Sequence, residues 1–103
     1  MTNEHFKSLL GRYQAKLDGR YSGFHEQQMS EDSMKVATYH VSIRTMVSHC
    51  KFMCNETKKF IEAGQVEKSM RWLGFLQGLL WCLGLFTLDD LKNHSRASQV
   101  EQD

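Results

Sequence analysis

From Val36 to Phe60 an apolar residue returns every three or four positions, and no proline interrupts the chain anywhere. The seam is Val36, Tyr39, Ile43, Met46, Cys50, Met53, Thr57 and Phe60, with Thr57 its one departure, and Ala37, Val47, Cys54 and Ile61 widen it. Such a period marks the buried face of an α-helix. Ser30 stands where an N-cap belongs, Glu31 and Asp32 follow in the first turn, and Gly64 offers a left-handed stop. The spacing therefore predicts a single helix over 30–63, a rod of about 50 Å at ~1.5 Å per residue. In a chain of 103 residues, a rod that long implies a hairpin or an oligomeric bundle more than a compact globule.

The remaining segments fit around that rod. Phe6, Leu9, Leu10, Tyr13 and Leu17 predict a helix over 2–18, capped by Thr2 and stopped by Gly19. Residues 19–29 read as a loop pinned to the core by Tyr21 and Phe24. A third helix is expected over 65–85, antiparallel to the second because only Gly64 separates them. Eleven of the 15 residues from Trp72 to Phe86 are apolar and surround the whole helix. A helix apolar all round has to be covered all round. Trp72, Phe75, Leu79, Trp81 and Phe86, with Gly74 and Gly78 one turn apart, are thus candidates for an interface with another copy. Thr87 and Asp90 form a capping-box variant that opens a short helix over 87–93, followed by a polar tail, 94–103. The expected fold is all-α: one helical domain over 1–92, a long antiparallel hairpin with an N-terminal helix packed on it as a three-helix bundle, and a homo-oligomer.

Lys and Arg number 13 against 12 Asp and Glu, for a net charge of +1. That balance gives no reason to expect nucleic acid or an anionic membrane as partner. The 15-residue apolar stretch is shorter than the ~20 residues a membrane span needs. Met1 to His5 is polar and no apolar run follows it, and the cysteines number three. Both features lead to the expectation of a cytoplasmic protein with reduced thiols.

Catalytic patterns are missing. There is no Gly-rich phosphate loop and no His-Glu-x-x-His, and Ser33 to Asn55 is a 23-residue stretch without an acid. Paired carboxylates for magnesium are therefore lacking on the second helix, and neither an enzyme nor a cofactor is expected. Cys50 and Cys54 share a helix face beside His49, with Cys82 on the next helix. A structural zinc site would need a second close pair of ligands, so the cysteines read as core residues and no metal is expected. Basic residues are more suggestive. His40, Arg44, Lys51 and Lys58 follow steps of 4, 7 and 7, and only Glu56 opposes the cations between Ser33 and Ile61. Arg12, Tyr13 and Lys16 add a basic, aromatic patch on the first helix. Either set is a solvated face or the seat of an anionic small molecule or an acidic protein surface.

Arg71-Trp72-Leu73-Gly74-Phe75, Gln77-Gly78, Leu80-Trp81 and Leu88-Asp89-Asp90-Leu91 resemble small accessory proteins of tailed bacteriophages. The likeness covers about a third of the chain, from Glu62 to Arg96. It implies a protein that acts by binding, as an inhibitor of a host factor or defence system. A weaker likeness, at Arg71-Trp72, is to phage sponge proteins that sequester cyclic nucleotides, for which Tyr13 and Lys16 are the candidate contacts. The expected function is non-catalytic interference with a host protein. The alternatives are a sponge for a nucleotide-type signal and a structural oligomerisation module.

Overall fold

Thr2 starts the first helix as expected: its hydroxyl accepts the His5 backbone N–H at 3.1 Å. In the computed structural model, which describes residues 1–35 and 41–102 with side chains to residue 96, that helix is α1, Asn3–Arg20. It passes through Gly19 and closes at Tyr21, whose N–H bonds to the Leu17 carbonyl at 2.8 Å. A lone glycine costs a helix only about 1 kcal/mol, and the buried Leu17 favours the extra turn.

The single helix over 30–63 is not what forms. Ser30 does cap a helix, α2, described over Glu31–Lys35, with its hydroxyl accepting the Ser33 N–H at 3.2 Å. Backbone at Ser42 is extended, and Ser42 caps a new helix, α3, Ile43–Glu62, by accepting the Thr45 N–H at 3.1 Å. Serine competes with continuing helix by offering such a cap. The seam slips with the break: Ile43 is exposed, and Val47 lies buried in its place. Val36, Tyr39 and His40 fall outside the described residues.

Gly64 ends α3 at a φ of 75°, and Gln65 N–H returns to the Phe60 carbonyl at 2.9 Å. That left-handed closure turns the chain at once into α4, Val66–Cys82, which packs back along α3. Gly84 repeats the device at a φ of 73°, with Leu85 N–H on the Leu80 carbonyl at 3.1 Å, so α4 stops three residues short of the expected 85. The expected capping box opens α5, Leu88–Gln102: Thr87 Oγ1 accepts from Asp90 N–H at 3.0 Å, and Asp90 Oδ2 from Thr87 N–H at 3.1 Å. This helix runs on through the segment expected to be a tail. No glycine follows Leu88, and buried Leu91 and His94 anchor successive turns.

α1, α3 and α4 enclose the core, built on Leu9, Leu10, Leu17, Val47, Cys50, Cys54, Leu76 and Leu80. Lys7 meets Glu62 at 3.7 Å and Asp18 meets Lys51 at 3.2 Å, so α1 runs antiparallel to α3. The chain is all-helical among the described residues. Its radius of gyration is 13.8 Å, close to the ~13 Å of a globular domain this size. The expected antiparallel hairpin forms between α3 and α4 with α1 packed on it, but the long rod does not, because α3 begins at Ile43 instead of Glu31, and the molecule is compact. No helix among the described residues is long and apolar enough to cross a membrane.

Candidate functional site

The basic stripe is taken apart by the fold. Lys51 is only 5% exposed. Its Nζ donates to the carbonyls of Tyr21 at 2.8 Å and Phe24 at 2.7 Å and pairs with Asp18 at 3.2 Å. The loop after α1 turns its carbonyls inward there, and a buried cation satisfies them. Tyr21 and Phe24 stack on one another at 5.5 Å and pack on the core, as their place in the loop predicts. Lys58 donates to Gln14 Oε1 at 3.1 Å, Gln14 Nε2 to Asn55 Oδ1 at 3.3 Å, and Asn55 Nδ2 to Glu26. Arg44 is exposed, with its guanidinium over the Phe24 ring at 4.3 Å. These cations lash α1 and the loop to α3 and do not form one solvated face. His40, the fourth member of the stripe, is among the residues not described.

The patch on α1 is likewise absorbed. Tyr13 is fully buried. Its hydroxyl accepts from Gln77 Nε2 at 3.0 Å and lies 3.0 Å from His94 Nδ1. Arg12 donates to His94 Nε2 at 3.3 Å, and an arginine can only donate, so the neutral ring carries its proton on Nδ1, facing Tyr13. His5 Nε2 donates to the His94 carbonyl at 3.2 Å. Burial and the Arg12 charge push the His94 pKa below its ordinary value, and burial raises that of Tyr13. Lys16 lies over the Phe86 ring at 5.7 Å. This knot buckles α5 to α1 and α4.

Cys50 and Cys54 are fully buried in the core, and burial pushes each thiol up to about 12. Cys82 is exposed on α4. Among the described residues no three His, Cys, Asp or Glu side chains are grouped to hold a metal.

The expected oligomer surface divides. Phe86 turns inward, against Tyr13 at 5.3 Å and His94 at 5.1 Å. Gly74, Gly78 and Trp81 lie on the outer side of α4, Trp81 at 50% exposure. A Cβ at either glycine would meet nothing within 4 Å, so the pair does not serve close packing inside the monomer. Trp72, Phe75 and Leu79 line something else: a groove of about 530 Å³ on the other side of the hairpin.

Four of the six methionines of the chain, Met29, Met34, Met46 and Met53, line that groove. Met46 and Met53 stand two turns apart on α3, while Met29 and Met34 come from the ends of the loop and of α2. Phe75, 58% exposed, and Met34 form its lips. Methionine is unbranched and polarizable, so a methionine-lined surface adapts to apolar shapes. The volume falls in the ~300–1,000 Å³ range of ligand pockets, which hold a few placed polar groups among apolar walls.

Three polar side chains of the lining, Gln28, His49 and Arg71, keep hydrogen-bonding capacity unspent among the described residues. His49 is 7% exposed and lines the groove, and its Nδ1 accepts the Met29 N–H at 3.0 Å. Its neutral ring therefore carries the proton on Nε2, and burial lowers its pKa, which favours that neutral form. Nε2–H has no partner among the described residues, yet it is not sealed in: the buried orphan among the described side-chain polar atoms is Thr57 Oγ1. Arg71, exposed at the groove's edge, likewise has no bond or ion pair among the described residues.

None of these groove residues except Trp72, Phe75 and Leu79 was marked as a binding residue by charge or spacing. The available signals were the methionine count and the seven-residue step from Met46 to Met53. The chain matches no family model, no curated protein and no solved structure.

Proposed function

We propose that this chain is a non-catalytic binding protein that captures a partner protein by seating an apolar helix of that partner in the methionine-lined groove. The observation that carries the reading is the groove itself: adaptable apolar walls from α2, α3 and α4, with Phe75 and Met34 left half open to water. Apolar helices recognised in this way lay a stripe of side chains into a hydrophobic trough. The resemblance of Glu62–Arg96 to phage accessory proteins supports a host factor as the source of that helix, and interference with it as the outcome. A nucleotide sponge draws less support, because Tyr13 is buried with its hydroxyl engaged and offers no ring face to a base.

A photo-crosslinking residue at Met34, on the groove's lip, tests the proposal in bacterial cells. One discrete protein adduct, lost when Phe75→Asp puts a charge on the groove's exposed lip, is the expected result. The absence of any adduct, or an adduct unchanged by Phe75→Asp in a folded variant, overturns it.

A further inference from the structure

Two of the groove's unspent polar groups, His49 and Arg71, are spaced along its length, and their separation constrains what can lie there. Trp72 packs between Phe52, at 6.3 Å, and Phe60, at 4.8 Å, which places the neighbouring Arg71 level with about residue 56 of α3. His49 is seven residues away along α3, or two turns and ~10 Å. Met46, Met53 and Leu79 fill the space around them with apolar surface.

Resting on the reading of the groove as a helix site, we infer that the occupant is an amphipathic partner helix carrying a hydrogen-bond acceptor and an acidic residue about seven positions apart. The acceptor takes the His49 Nε2–H, which has no partner among the described residues and which an apolar occupant would seal from water without a bond, an expensive state. The acid meets Arg71 at the rim, where charge complementarity sets partner choice more than raw affinity. A free apolar acid would satisfy only one of the two groups. A basic helix would satisfy neither and would bring its charges against Arg71. The ends of the groove are unlike: Arg71 marks one and Leu79 the other. One orientation of the partner helix is therefore favoured.

The test uses designed helical peptides titrated into the full chain. One series carries Gln and Glu seven residues apart on a Leu/Ala face, in both orders. A second replaces the Glu with Lys, and a third replaces the Gln with Leu. The histidine arm is read from the peptide side because replacing His49 would also strip the Met29 N–H of its acceptor. In one of the two orders the Glu peptide should bind at least about fivefold more tightly than the Lys peptide, and Arg71→Glu should reverse that preference. The Leu peptide should also bind more weakly than its Gln parent. Equal binding of Glu and Lys peptides, with all of it lost on Phe75→Asp in a folded variant, would leave the groove a helix site and overturn the acid-and-acceptor inference. No binding by any peptide would count against the helix site itself. Self-association of the chain that competes with every peptide would make a second copy the occupant and overturn the inference too.

Discussion

His94 and His49 are both buried histidines, held in opposite tautomers by opposite surroundings. Around His94 both ring nitrogens are engaged, by Tyr13 and Arg12, and even its carbonyl is taken by His5. Around His49 one nitrogen receives the Met29 N–H and the other faces an open, methionine-lined groove. A polar group whose every valence is filled by its own chain has been used to hold the fold. One that is half filled, at the edge of an adaptable apolar cavity, is available to something else. Lys51 and Arg71 repeat the contrast among the cations: three oxygens surround the first, and none of the described residues pairs with the second.

That contrast breaks first at Lys51. A carboxylate there would face two carbonyls and Asp18, so Lys51→Glu should destabilise the fold by about 3 kcal/mol or more. Charge spacing, which sets Arg44 and Lys51 on one face, does not distinguish them. Urea denaturation of the single variants separates the two residues, with Arg44→Glu expected within about 1 kcal/mol of the parent.

His94→Leu should cost about 2 kcal/mol by removing the hub that joins α5 to α1 and α4. Acid should act on the same site. Burial holds both histidines below the ordinary 6.5. Their neutral forms therefore stabilise the native state above 6.5, and that contribution is lost as pH falls through the depressed folded-state values. Protonation of His94 also turns an N–H toward the Arg12 guanidinium. Urea midpoints should fall between pH 7 and pH 5, and the fall should be smaller in His94→Leu.

The reason only part of this was legible lies in what periodicity reports. Thr2, Ser30, Gly64 and the Thr87–Asp90 box are local chemistry, and each acts where the sequence places it. The five core positions of α1 are all buried, because an apolar face at helical spacing has one way to hide. Ser42 defeated the long-helix reading because a serine inside a seam and a serine that caps a new helix look alike until the chain turns. The charges misled for a related reason: a lysine at a surface spacing and a lysine pinning a loop by two backbone carbonyls have the same one-letter code. The groove was hidden because its walls come from three elements: Met46 and Met53 read as core, while Met29 and Met34 lie outside the seam.

Smaller effects sharpen the comparison on α4. Since nothing crowds a Cβ at Gly74 or Gly78, Gly74→Ala and Gly78→Ala should each raise stability by about 0.5–1 kcal/mol. A loss instead, scaling with protein concentration, would show that the glycines seat another copy of the chain. Phe75→Ser, on the groove's lip, should change stability by less than about 0.5 kcal/mol. The same variant should weaken peptide binding measurably, which a purely structural phenylalanine would not do.

Trp72 lines the groove and Trp81 lies on the outer side of α4, so Trp81→Phe leaves one tryptophan reporting on the site. Titration of that variant with an apolar helical peptide carrying an acid, followed by Trp72 emission, is the most direct test of the groove as a binding site. A saturable blue shift, abolished by Phe75→Asp on the exposed lip in a protein of unchanged helicity, is the predicted result. Peptide binding that leaves Trp72 emission unmoved, or no saturable binding at all, would contradict it.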